Sequence, residues 1–236
     1  MRLKTLHVGG RLAVSLFAIT LLGALASAEL LMLYSLGGAV SVDKVKAKYA
    51  GSLLVSSMYG SMYEYVTEDE SIKIVEDWIA AGTTEQGYED AVKAVMEEDC
   101  TKCHSKSSTM TDAMPGMPLT SFEETKKLTV RGLPSGKLLM QLHVHAFALA
   151  TVLLVLTLLF SAADIALVWK VLLPVVAYLG LWMDFAGWLL GSVGEWAVWF
   201  IMGGGGLLAA TIAAMSVVIL LDPWMKVPVL GRTFYD

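Results

Sequence analysis

Four apolar runs, each long enough to cross a bilayer, limit what this chain can become. The first, residues 12–36, follows Arg11 and is interrupted only by Glu29. At 1.5 Å per residue it reaches roughly 37 Å, enough for a ~30 Å hydrocarbon core with some tilt. Residues 140–161, 171–190 and 196–221 form the other three, and none is apolar on one face only, as a soluble helix would be. The chain is therefore expected to be an all-α integral membrane protein with four transmembrane helices.

Charge is placed to match. Residues 40–138 hold 16 of the 22 acids and 11 of the 17 bases of the 236-residue chain. Charged residues make up only 17% of the whole, against about 25% in soluble domains. The organisation expected is an N-terminal anchor (1–39), a polar domain (40–138) and a three-helix bundle (139–236). The polar domain carries no basic run and is net acidic, which argues against nucleic-acid binding.

Ala26-Ser27-Ala28 resembles a signal-peptidase site, but the apolar run resumes at Leu30, so an uncleaved signal-anchor is expected. Arg2, Lys4 and Arg11 precede the first run, Lys170 separates the second and third, and Lys226 and Arg232 follow the fourth. The short link 191–195 has neither Lys nor Arg. Positive-inside orientation then puts both termini in the cytoplasm and the polar domain outside, in the periplasm of a bacterium with this protein in its inner membrane.

The polar domain reads as helical. Leu54, Val55, Met58, Met62, Tyr65 and Val66 recur at helical spacing; so do Ile72, Val75, Trp78 and Ile79, stopped by Ala81-Gly82. A third stripe, Tyr88, Ala91, Val92, Val95 and Met96, runs into Cys100 and Cys103, and 107–130 is loop-rich.

Cys100-Thr101-Lys102-Cys103-His104 is C-x-x-C-H, the attachment signature of haem c. Two thiols at this spacing can reach the two vinyl groups of one porphyrin edge, and the adjacent imidazole can bind the iron. Attachment of this kind happens outside the cytoplasm, in agreement with the Lys/Arg orientation. Two alternatives stand beside it. A thiol redox pair would normally accompany a βαβ pattern, and none is seen. Zinc could use Cys100, Cys103, His143 and His145, although His-x-His is tighter than the usual histidine spacing.

With this motif the chain resembles the monohaem c-type cytochromes. Residues 88–104 are similar to the helix that leads into the haem motif there. Ile74-Val75-Glu76-Asp77-Trp78-Ile79-Ala80-Ala81-Gly82 resembles the closing W-I-x-x-G helix of many bacterial cytochrome c domains, here placed before the motif. The resemblance implies a cytochrome c-like periplasmic domain in rearranged order, without the usual downstream distal loop. The whole layout is similar to a group of membrane-bound cytochromes with an anchor, a monohaem domain and a bundle opening with His-x-His, here His143-Val144-His145. Cofactor and role follow as expectations: one covalent haem c, proximal ligand His104, and single-electron transfer without catalysis by the chain itself.

The sixth iron ligand is sought in two places. Met110, Met114 and Met117 lie within 13 residues of His104, while His143 and His145 stand at the mouth of the second span. Histidine is favoured, because methionine also serves as a flexible gap filler. Residues two apart on a helix project roughly 200° apart, so only one of the pair would ligate. Glu29 and Asp184, acids inside spans one and three, are candidates for a proton or quinol site. Gly203-Gly204-Gly205-Gly206 allows close helix approach, and Trp182, Trp188, Trp196 and Trp199 suit an interfacial belt. Four spans exceed what a tether needs, so partners are expected among the subunits of a larger membrane complex, with a redox protein or quinol as donor. A structural subunit with a stabilising haem, or a haem-based redox or gas sensor, are the competing roles.

Overall fold

A computed structural model of the protein describes residues 2–36, 41–132 and 135–225. The expected 39/40 boundary, Lys226 and Arg232 lie outside the described residues. The architecture is all-α, 74% helical and without strands among the described residues. Four helices are long and apolar enough to span a membrane: α1 (Val8–Ser35), α7 (Ser135–Ser161), α8 (Leu167–Leu190) and α9 (Val198–Leu221). Between α1 and α7 come α2 (Val42–Ala50), α3 (Leu53–Tyr59), α4 (Asp69–Ala80), a continuous helical run α5 (85–100) and α6 (Phe122–Lys126). The chain divides into two compact units, one built on the spanning helices and one on residues 32–134 with 191–195.

In the spanning unit α8 and α9 pack backbone to backbone. A Cβ on Gly180 would lie 2.8 Å from the Gly204 carbonyl oxygen, and one on Gly187 would lie 2.8 Å from the Ile201 nitrogen. Of the four consecutive glycines, Gly204 carries this contact: a Cβ there would overlap the Asp184 nitrogen, whereas Gly206 has nothing within 4 Å. Helices in lipid gain little from apolar contact alone, so close approach through small residues decides which pairs form. At the other end of the bundle the N-terminal segment is pinned. Leu3 is fully buried, Lys4 lies 3.1 Å from Asp164 and 3.7 Å from Asp222, and Trp224 donates to the Ser15 hydroxyl at 2.9 Å.

The polar unit is assembled from short capped helices. Hydroxyls cap four of them: Ser41 receives the Lys44 N–H, Ser52 that of Val55, Thr84 that of Gly87 and Ser121 that of Glu124. Helix α4 begins with Asp69 and Glu70, which suit its positive end. It stops at Gly82, whose φ of +95° only glycine adopts readily. Its buried face, Ile72, Val75 and Trp78, meets Tyr88 and Val92 of α5. Trp78, Tyr88 and Phe122 form an aromatic triad with ring centroids 5.8–6.4 Å apart, tying α4, α5 and α6 together.

One expected stripe does not form a single helix. Helix α3 ends at Tyr59, since Gly60 (φ −110°, ψ −113°) leaves the helical region. Met62–Val66 then makes a turn and a short 3-10 helix, Tyr63–Tyr65, with Tyr65 exposed. Ala91, expected on the α5 stripe, is exposed as well. The reason is register: α5 contains two π-helical stretches, Tyr88–Val92 and Met96–Cys100, which a 3.6-residue count does not anticipate.

Candidate haem-attachment site

Helix α5 delivers the cysteine motif. Its final π turn is closed by the Thr101 N–H donating to the Met96 carbonyl at 2.8 Å. Within the motif Cys103 N and His104 N both donate to the Cys100 carbonyl, at 3.1 and 2.8 Å, so Cys100 to His104 is one compact turn. Both cysteines are free and half-buried. Burial pushes the Cys100 thiol up to about 11, with Asp99 and Cys103 adding to it. A thiol redox pair wants a lowered value, so this environment keeps the thiol protonated at neutral pH and argues against that chemistry.

His104 is 8% exposed, and its Nδ1 lies 2.9 Å from the Met117 carbonyl oxygen. A carbonyl can only accept, so Nδ1 carries the proton and Nε2 holds a lone pair. Nε2 makes no hydrogen bond among the described residues. An imidazole with one nitrogen tied to a backbone carbonyl and the other free is how protein metal ligands are usually held. The loop 105–119 closes on this residue: Leu119 N–H donates to the His104 carbonyl at 2.8 Å, and Met114 N–H to the Cys103 carbonyl at 2.9 Å. It is a compact surface loop packed on the motif's own backbone. The donor set and its orientation fit haem c: two unpaired thiols on one turn, then a buried imidazole with an available lone pair.

The segment before α4 flanks the motif. Thr67 gives both its N–H (3.2 Å) and its hydroxyl (2.6 Å) to Asp99 Oδ1, one residue before Cys100. The other Asp99 oxygen is buried and unpartnered. Tyr65 is within electrostatic reach of Cys103 and Asp112, and Tyr59, Tyr63 and Val66 pack with Cys100 against the unit's core. The sequence places Tyr65 and Val66 on a helical stripe but does not bring this segment to the motif. Pro118 was a usable signal for Met117, since the residue before proline is steered to extended backbone and its carbonyl is left outside any helix.

The distal candidates are distributed as follows. Met110, Met114 and Met117 are exposed on the 105–119 loop, with Met110 Sδ 3.8 Å from Cys103 Sγ. His143 is exposed on α7 beside Phe147, ring centroids 5.0 Å apart. His145 is half-buried, with Nδ1 2.8 Å from the Gln141 carbonyl and its ring edge-on to Trp188 at 5.3 Å. Asp184 of α8 is in electrostatic contact with His145. Glu29 is exposed on α1, and nothing brings it to Asp184. No three His, Cys, Asp or Glu side chains among the described residues converge as a metal-ion site.

Residues 126–229 match a family model described as a transmembrane helical domain. The match takes in α7, α8 and α9 and excludes Cys100–His104, so it speaks for the spanning helices and not for a cofactor. No curated protein and no solved structure matches the chain. The protein is a membrane protein with four apolar helices and a helical polar unit.

Proposed function

We propose that the protein is a membrane-anchored monohaem cytochrome c that relays single electrons as a subunit of a larger membrane complex. The observation that carries this is His104, buried directly after two free thiols, with Nδ1 held by Met117 and Nε2 left open. Cys100 and Cys103 would hold the haem through thioether bonds and His104 Nε2 would bind its iron. Once bound, the haem supplies a one-electron ferric/ferrous couple. The chain's own part is to fix the imidazole tautomer, shield the iron and set its potential through ligand and burial. The Lys and Arg distribution supports a bacterial inner-membrane location with the polar unit in the periplasm and both termini cytoplasmic. A structural subunit or a gas sensor would use the same attachment; binding of CO to the reduced native protein distinguishes the sensor.

For the sixth ligand the sequence argument favours one of His143 and His145 over the loop methionines. Met117 is the weakest candidate, because its backbone occupies the Nδ1 edge of His104, away from the iron. A second reading draws the ligand from within the polar unit. The Thr67–Asp99 bonds anchor Thr67 one residue before the motif, and Met62 is the methionine nearest to Thr67 along the chain. A far-red methionine–iron band lost in Met62→Ala would select it; a bis-histidine spectrum would exclude it.

The decisive test of attachment is a denaturing, thiol-treated gel stained for haem, with a pyridine haemochrome spectrum on the same sample. Haem retained on the chain with a c-type spectrum, and lost in Cys100→Ala/Cys103→Ala, is expected. Zinc in place of haem would overturn the electron-transfer reading.

A further inference from the structure

Inside the spanning unit three polar side chains meet where α7 begins and α8 ends. His145 has its Nδ1 committed to the Gln141 carbonyl, so its Nε2 offers a lone pair. Asp184 faces it from α8, one turn before Trp188. Trp188 Nε1–H is buried and reaches toward the Asp184 carboxylate without closing a full hydrogen bond. The His145 lone pair and the carboxylate stand beside it with capacity to spare. Gly205 of α9 presents no side chain to the carboxylate; a Cβ there would stand 3.7 Å from Oδ1. Aromatic rings flank the group: Phe185 lies 6.0 Å from Trp188 and 6.5 Å from Trp182, centroid to centroid.

We infer that His145, Asp184 and Trp188 form the headgroup site of a lipid-soluble quinol. The ligand has to enter from lipid, so its body is apolar. It has to give hydrogen bonds to the His145 Nε2 or the Asp184 carboxylate and take one from the Trp188 N–H. A quinol hydroxyl gives and takes at the same oxygen, and its flat ring suits the Phe185–Trp188 wall. Ordered water alone could satisfy the same three groups, and the test separates the two. The inference deepens the electron-relay reading by naming the chemical class of its donor, while the site itself uses only residues of the spanning unit.

The test uses the full chain in lipid nanodiscs, titrated anaerobically with decylubiquinol. Saturable binding at one molecule per chain is expected, weakened about tenfold in both Asp184→Leu and Trp188→Phe, which is the loss of roughly one hydrogen bond of ~1.4 kcal/mol. Glu29→Gln should bind as the native chain does. Uptake that only rises with lipid, or native affinity in both variants, overturns the inference and leaves water as the occupant. Where a variant fails to insert, a photoreactive azidoquinol kept reduced on the native protein decides: labelling of peptides around His145 or Trp188 supports the site, and labelling elsewhere overturns it. Repeating the titration on Cys100→Ala/Cys103→Ala separates this inference from the haem reading, because binding should survive there.

Discussion

In the spanning unit the tightest contact is made by residues with no side chain: Gly180 and Gly187 of α8 against the α9 backbone at Gly204 and Ile201. In the polar unit the corresponding work falls to the largest side chains available, Trp78, Tyr88 and Phe122, with Trp78 also donating to the Thr84 carbonyl at 2.9 Å. The contrast follows from solvent. Water rewards the burial of big apolar surfaces. Lipid is as apolar as the helices, so association there depends on how closely two backbones can come. The same logic explains α1 and α9, whose mean hydropathies are 2.1 and 2.2, yet whose apolar windows are 6% and 44% buried. Apolarity suits both to the membrane; in α9 Gly204 meets the α8 backbone, whereas Gly23 of α1 has nothing within 4 Å.

The sharpest way to break this comparison is at Gly204. Gly204→Leu would drive a side chain into the Asp184 nitrogen and the Gly180 carbonyl, which cannot turn aside as a flexible side chain can. Overpacking of ordinary cores costs about 1–3 kcal/mol; against fixed backbone the expectation is loss of monodisperse protein in mild detergent. Gly206→Leu, with open space around it, should purify and melt as the native chain does. Equal behaviour of the two would mean that backbone contact is not what joins α8 to α9.

The matching test in the polar unit is Trp78→Ala. The indole is 5% exposed, and removing a buried tryptophan costs about 3–5 kcal/mol. Hydrogen exchange should rise through α4, α5 and α6 while α8 and α9 keep their protection. Trp78→Phe, which keeps a ring but loses the bond to Thr84, should cost less. A uniform rise across all the helices would contradict the picture of a locally aromatic core.

How much of this was readable beforehand depended on the range of the interaction. The four spans were readable because composition over twenty residues suffices, and the C-x-x-C-H pattern because its spacing is local. Close packing at the glycine run was also readable, but not that Gly204 carries it, since that depends on where α8 crosses. The α5 stripe was found with one member misplaced, because π turns shift the count at Ala91. Nothing local marks Thr67 as a partner of Asp99, 32 residues away. The pairing of His145 with Asp184 and Trp188 likewise joins α7 to α8, whereas Glu29 is exposed on α1 and makes no hydrogen bond or ion pair among the described residues.

The smallest effect expected is at Glu124, and it bears on the loop that closes over His104. Its carboxylate accepts from the Thr120 N–H (3.0 Å) and hydroxyl (2.8 Å), while Ser121 caps the first turn of α6. The Thr120 hydroxyl, more than the neighbouring Lys106, holds the carboxyl below its ordinary value of 4.5. A group whose value is depressed on folding contributes stability above its unfolded value and loses it as pH falls through the folded one. Acid should therefore loosen α6 first, and with it Phe122 of the aromatic triad. Leu119, just upstream, makes the backbone bond to His104, so the loosening should reach that loop. Hydrogen exchange at Glu124 and Thr125 is expected to rise as pH drops below the ordinary carboxylate range, in the native chain but not in Glu124→Gln, where the side chain no longer titrates. An identical acid profile in both proteins would assign the loosening to another carboxylate and detach α6 from the closure of the loop.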